Sequence, residues 1–514
     1  GIPKGLTFAN VFSVGNSAQM GVEEILQYLD ESYRQGKSST VKLLYIENID
    51  KPKLLLKHAR SLIRKGCKIA AIKAGSSDAG TRAASSHTGA LASSDVAVDA
   101  LFRKAGIVRC HGREELISVA SVFMHPTLQG NRIAVITHAG GPAVMLTDAL
   151  SESGMEVPLI DNPKSKELLS HLYAGSSVSN PIDFLATGTA QQLGFIIDYV
   201  DEHFAEIDGM VVIFGTPGLA PVFDVYELLH RKMLTCRKPV FPVLPSTFTA
   251  RAEVDAFIKM GRINFPDEVV LGKALGKVFH TPKTKAEVQD LPEIDIAAVR
   301  QVIDHATEGY LKPEQVQALI DASGIPRVKE TVVDSLGEAL AAAAETGFPL
   351  VMKVVGPVHK SDVGGVVLNV MHPEAVALEF ERMMKIPETT AVLIQPMISG
   401  TELFAGLKRE SNFGHMVLFG MGGIFIEVLK DVKTVLSPVM HSEALEMIRS
   451  LRSYKIIEGY RGQEGISDEK FADIILRLSA LAEAAPEIFE MDLNPLLGTA
   501  DRVIAVDARI NIAR

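Results

Sequence analysis

His87 is the residue in this chain best suited to covalent chemistry. It stands near the end of residues 75–92, an eighteen-residue stretch of mostly small side chains, GSSDAGTRAASSHTGALA. Such a composition buries little apolar area, so it predicts a loop that is cheap to move. The apolar run IAAIK at 69–73 reads as a strand leading into it, and Val96, Val98, Leu101 and Phe102 follow at helical spacing. The imidazole is therefore expected on a loop that runs into a helix N-terminus, where free N–H groups and the dipole favour an anion. Glu47 closes another buried-looking run, VKLLYI at 41–46. A carboxylate there could hold one imidazole nitrogen and leave the other as a nucleophile. The bland alternatives are a Ser/Gly surface loop with an ordinary histidine, and a solvated Glu47 opening the turn at 48–50. Position alone does not separate the two readings of Glu47.

A second constellation lies in the C-terminal half. Lys353 points from a strand at 349–355, a hinge strand at 391–395 leads through Gln395 to Met397, and glycine-containing segments follow at 420–423. Asn494 and Asp507 come late, as oxygen donors on neighbouring strands. The lysine would neutralise inner phosphates, the hinge backbone would read adenine, and the two oxygen donors suit Mg²⁺ and not Zn²⁺. Singly, Asn494 reads as a turn residue before Pro495 and Asp507 as a charge on an edge strand; the set in this order reads as a nucleotide site. A third feature is RIAVIT at 132–137, then His138, Ala139, Gly140, Gly141 and Pro142 ahead of a helix at 143–153. Two glycines allow close backbone approach and Pro142 suits the first helical position, a phosphate-cradle design.

The elements that must position these residues alternate. Residues 1–128 read as strand 8–15, helix 21–29, strand 41–46, helix 53–65 and strand 69–73. Residues 131–280 repeat the theme, with further strands at 210–214 and 239–244 and a polar loop containing Asn180 and Asp183. Alternation of this kind predicts parallel sheets with helices on both faces and ligands at the carboxyl ends of the strands. Residues 279–296 turn polar and read as a linker. Beyond it, strands are expected at 349–355, 391–395, 402–408, 416–419 and 503–508.

Composition narrows the classes. The 514 residues suggest three or four domains, and 47% hydrophobic with 22% charged residues is a soluble globular balance. No run reaches the roughly 18 apolar residues of a membrane helix. A net charge of −10 argues against nucleic acid. Three cysteines, far apart, read as reduced thiols in a cytoplasmic protein. The chain starts at Gly1, which suggests a fragment, a processed chain or part of something longer.

Seven motifs then add up: AASSHTG at 83–89, VITHAGGP at 135–142, HKSDVGG at 359–365, QPM at 395–397, GGIFIEVLKD at 422–431, EMDLNPL at 490–496 and VDAR at 506–509. Over nearly the whole chain these resemble the ADP-forming acyl-CoA synthetases, relatives of succinyl-CoA synthetase. The resemblance implies an α/β protein with two flavodoxin-like domains, 1–128 and 129–280, a linker at 281–298, and an ATP-grasp module at 299–514 whose small lobe covers about 327–393. It implies the reversible reaction of an acid, CoA and ATP to acyl-CoA, ADP and phosphate, through an acyl phosphate and a phosphohistidine. By motif match His87 is the phosphohistidine, Glu47 orients it, His359 takes part in transfer near ATP, and Asp492 meets the histidine there. Ser86, Thr88, Gly89, Gly140 and Gly141 would bind phosphate. Lys353, Gln395, Met397, Glu402 and Glu427 would bind ATP, and Asn494 and Asp507 Mg²⁺. The family's N-terminal CoA-binding Rossmann domain is not seen upstream of residue 1, so a separate, cleaved or unseen CoA-binding piece is expected, together with a homo-oligomer and no nucleic-acid or membrane partner. Two rivals are a non-catalytic nucleotide- or acyl-CoA-sensing subunit and a biosynthetic ATP-grasp ligase. A sensor has no use for a nucleophile on such a loop, and residues 1–280 argue against the second.

Overall fold

A computed structural model describes all residues except 16–19, 78, 80–93, 217–220, 284–290, 357–362, 424–430, 461 and 463. They form two units, Gly1–Lys285 and Ala286–Arg514.

In the first unit β1 (Val41–Ile46), β2 (Lys68–Lys73) and β3 (Val108–Cys110) make one parallel sheet in that order. β4 (Ile133–Thr137), β5 (Ile182–Asp183), β6 (Gly209–Ile213) and β7 (Val240–Val243) make a second parallel sheet ordered β5-β4-β6-β7. Their sequences are near-continuous apolar runs because both faces are covered, as parallel strands require. Ala70, Ile72 and Val108 of the first sheet share one core with Ile133, Val135 and Val211 of the second, and the helix Glu268–His280 adds Leu271 and Leu275. The other face of the second sheet packs Ile136, Ile182 and Val212 on Leu193 and Ile196 of the helix Ala190–Glu202. That helix starts at a capping box in which Thr189 accepts from Gln192 N and the Gln192 side chain accepts from Thr189 N.

The second unit is antiparallel. β8 (Gly309–Tyr310), β9 (Thr331–Val333), β10 (Leu350–Val355), β11 (Val366–Val370) and β12 (Ala391–Pro396) are followed by β13 (Thr401–Glu410), β14 (Gly414–Met421), β15 (Val432–Leu436), β16 (Ile488–Gly498), β17 (Val503–Ala505) and β18 (Ala508–Ile512). The small sheet runs β11-β10-β12-β9; the large one runs β15-β14-β13-β16-β18-β8, with β17 on β16. Met352, Val354, Val392 and Ile394 face the helices Leu336–Thr346 and Pro373–Met383. By the period of two, Lys353, Leu393 and Gln395 occupy the opposite face. Beneath the large sheet lies the helix Asp468–Ala484, which buries Phe471, Ile474, Ile475, Leu478 and Leu481 at helical spacing and is capped by Ser467.

Three local expectations fail, each for a tertiary reason. Residues 8–15 form no strand; Phe8, Val11 and Phe12 are 58%, 82% and 45% exposed, so the apolar run has no neighbouring strand to pair with. The helix after β4 begins at Gly140, not 143, and Pro142 is its third residue. The stretch 503–508 is two strands broken at Val506 and Asp507, with Val506 N donating to Pro495 O across 3.0 Å. Asn494 is no turn residue: β16 runs through it. Leu496 pairs with Leu403 and Leu493 with Ala405, so Asn494 and Pro495 together oppose Phe404. This bulge absorbs a proline that has no N–H for the ladder.

Candidate functional site

In the first unit the candidate residues gather at the carboxyl ends of the strands. Ile46 pairs with Lys73, and Ala74 N donates to Ile46 O at 2.8 Å, so Glu47 leaves the sheet beside the end of β2. Glu47 is half-buried and none of the described residues hydrogen-bonds its carboxylate. Lys73 is 4% exposed, and its Nζ donates to Gly75 O at 2.7 Å where the chain turns with φ +72°. On the far side Arg109 holds Asp95 and Asp99 at the start of the helix Asp95–Ala105. Ser86, His87, Thr88 and Gly89 lie between these anchors, outside the described residues.

Gly140 and Gly141 open the helix Gly140–Glu152, whose N-terminus has no side-chain cap. A Cβ on Gly141 would meet nothing within 4 Å, and one on Gly140 only Asp183 Oδ2 at 3.8 Å. The N–H groups are thus approachable by an anion. His138 stacks on Phe214, centroids 4.3 Å apart, at the adjoining ends of β4 and β6. Asp183 and His138 carried a sequence signal only as members of polar loops.

In the second unit Lys353 reaches from the small sheet to the large one. Its buried Nζ donates to Val506 O at 3.0 Å and stands 3.9 Å from Asp507 Oδ1. Asp492 pairs in register with Arg509, and Leu493 with Ala508; Asn494 and Asp507 are the residues next in line where that pairing stops. Burial pushes the Asp492 carboxyl up to about 6; Arg509 pulls it down, while Asp507 and Glu490 push it further up. A carboxyl of that pKa can both accept and release a proton near neutrality.

Asp507 and Arg509 line a cavity of about 530 Å³ with Arg327, Glu330, Gly356 and Leu393. Glu330, which no sequence pattern pointed to, accepts from Gln317 Nε2 at 2.9 Å, and burial raises its pKa. Gln395 is 1% exposed, and among the described residues neither its Oε1 nor its Nε2 has a hydrogen-bond partner. Met397 N–H is spent on Pro349 O at 3.0 Å, so Met397 brings its carbonyl and side chain, not a donor. Glu402 lies against Gly423 (φ +58°), where a Cβ would come within 1.9 Å of Oε2. His359 and Glu427 lie outside the described residues. Among the described residues no group of three His, Cys, Asp or Glu side chains could hold a metal. Asn494 and Asp507 offer two oxygen donors, a ligand type that suits Mg²⁺, an ion that keeps waters and shares substrate phosphates.

Residues 302–512 match the ATP-grasp domain family, and residues 2–123 the succinyl-CoA ligase like flavodoxin domain. The chain is 31% identical to acetate–CoA ligase [ADP-forming] I of Archaeoglobus fulgidus, over 98% of this chain and 74% of that protein. The chain belongs to the ADP-forming acyl-CoA synthetases. A second member of the family, 4-hydroxybutyrate–CoA ligase [ADP-forming] of Nitrosopumilus maritimus, is 30% identical over 99% of this chain and 75% of its own length. A solved acetyl-coenzyme A synthetase 1 of Ca. Korarchaeum cryptofilum, in complex with coenzyme A, is 34% identical over 41% of this chain and 97% of that one, with a TM-score of 0.40. As an ADP-forming acyl-CoA synthetase the chain is an acid–thiol ligase, with a flavodoxin-like ligase domain followed by ATP-grasp. No helix among the described residues is long and apolar enough to cross a membrane.

Proposed function

We propose that this synthetase makes acyl-CoA by a phosphohistidine relay on His87. An imidazole nitrogen of His87 attacks the γ-phosphorus of ATP and ADP leaves. A carboxylate oxygen of the acid then takes the phosphoryl group from the histidine, and the CoA thiolate attacks the acyl carbon with loss of phosphate. Each step is a displacement at an activated centre, so positioning and charge neutralisation supply most of the catalysis.

The observation that carries this reading is Lys353 bridging the two sheets of the ATP-grasp unit to Val506 and Asp507. That ammonium would neutralise phosphate. Asp492 would take up a proton from the incoming imidazole, and Arg509 beside it would meet developing phosphoryl charge. Asn494 and Asp507 would hold Mg²⁺, which supplies charge neutralisation on the phosphate oxygens. Glu47 would hold His87 at the other station, with the N-terminus of Gly140–Glu152 facing the phosphoryl group. Three domains, 1–128, 129–280 and 299–514, a CoA-binding domain on a further segment or chain, a homo-oligomer and a cytoplasmic location complete the proposal.

The test is incubation with γ-labelled ATP and Mg²⁺, wild type beside His87→Asn. The expected result is an acid-labile, base-stable label absent from the variant. Wild type without label, or equal label in both, would remove the relay.

A further inference from the structure

The first unit has a second cavity, of about 360 Å³, at the opposite end of the strands from Glu47. Lys68 and Val108 line it, and they begin β2 and β3. Five residue steps along β2 carry the chain from Lys68 to Lys73, roughly 17 Å at strand spacing. Its walls are apolar: Val122, Phe241, Leu275 and Val278 all contribute, and the volume is that of a small-molecule site.

The polar content is one-sided. Arg64, Lys68 and Lys283 line the cavity, and no aspartate or glutamate is among the described residues that do. Lys68 is half-buried. Two of its N–H groups are taken by Phe123 O at 2.9 Å and His125 O at 3.0 Å, just past the end of the helix Arg113–Phe123. Among the described residues the third N–H has no hydrogen-bond acceptor, and the ammonium lies 5.9 Å from the centre of the Phe123 ring. No carboxylate among the described residues offsets the charge, and burial pushes the pKa of the ammonium down. His125 adds no second positive charge, since burial pushes its pKa to about 4 and keeps it neutral. A partly desolvated cation with one spare donor, set in apolar walls, is costly unless an anion completes it.

We propose that this cavity binds an aliphatic monocarboxylate, with the carboxylate on Lys68 and the chain between Phe241 and Leu275. A single spare donor and two exposed cations match a singly charged head; a phosphate would need more donors than the site offers. The site is separate from the ligase chemistry at the carboxyl ends of the strands and stands whether or not the His87 relay does.

Calorimetry on the complete chain with octanoate, 1-octanol and acetate tests it. Octanoate should bind at least about tenfold tighter than 1-octanol, the worth of one charge-assisted bond, and acetate should not register. Lys68→Met should remove that preference by weakening octanoate alone. Val278→Phe, which fills the cavity from the opposite wall and keeps Lys68, should weaken both eight-carbon probes about tenfold. Octanoate and 1-octanol of equal affinity, no binding of either, or octanoate affinity unchanged in Val278→Phe overturns the site. The last criterion holds even if Lys68→Met does not fold.

Discussion

The Lys353 ammonium stands 3.9 Å from the Asp507 carboxylate, joining β10 of the small sheet to the break between β17 and β18. Each group lies where the other needs it, and a phosphate with its cation could take both. Lys353→Met keeps the apolar stem and removes the charge. It should raise the KM for ATP at least about tenfold and slow labelling of His87 by a similar factor. ATP kinetics on a variant of near wild-type Tm would check this; an unchanged KM would mean Lys353 only braces the sheets.

Asp492 carries a pH signature. Its folded pKa, about 6, lies above the ordinary aspartate value of 3.8. Below pH 4 the folded and unfolded carboxyls are both protonated and nothing is lost. As pH rises through 4 to 6 the unfolded chain ionises more readily, so the folded state loses stability, by at most about 3 kcal/mol. Asp492→Asn should therefore raise Tm at pH 8, leave it unchanged at pH 4, and cost transfer activity. A lower Tm at pH 8 would show that the carboxylate is satisfied in the folded protein.

Gln395 is a buried carboxamide whose two polar atoms find no hydrogen-bond partner among the described residues. Without a partner it costs free energy that an apolar side chain would not. Gln395→Leu should thus hold or raise Tm by the equivalent of about 1 kcal/mol in the nucleotide-free protein, and reduce the additional stabilisation that ATP confers. Thermal melts with and without ATP separate the two effects.

In the first unit Asp30 ties two helices together, Val22–Glu31 and Pro52–Arg64. It accepts from Ser61 Oγ and Lys65 Nζ, both at 2.7 Å, and bonds His58 Nδ1 at 2.8 Å. Burial opposes its ionisation, yet Lys65, His58 and Ser61 hold its pKa below 3.8 overall. Its stabilisation is therefore present above about pH 4 and fades as pH falls through the depressed folded pKa. Asp30→Ala should cost about 3 kcal/mol at pH 7, because His58 and Lys65 lose their buried partner. Urea unfolding at pH 7 measures it; a change under about 0.5 kcal/mol would show the network to be dispensable.

Local pattern was enough for much of this protein. Runs such as 41–46, 69–73 and 133–137 become strands because apolar stretches of that length, between polar turns, have few other ways to leave water. The order of lysine, hinge, amide and acid pointed to a nucleotide site because each belongs to its own short motif, and residues 302–512 match the ATP-grasp family. What pattern could not carry was pairing. Residues 8–15 have the look of a strand but no neighbour. Asn494 became a strand residue only because β13 accommodates a bulge at Pro495. Glu330 and the spare donor of Lys68 matter through what surrounds them, and Met397 lost its N–H to Pro349, 48 positions earlier. Burial, register and the pKa of Asp492 all arise between segments far apart in the chain. The sequence by itself determined which segments could be strands, helices and chemical motifs; the tertiary structure decided which of their polar groups are paired, desolvated or left open to a ligand, because those energies depend on neighbours that only folding supplies.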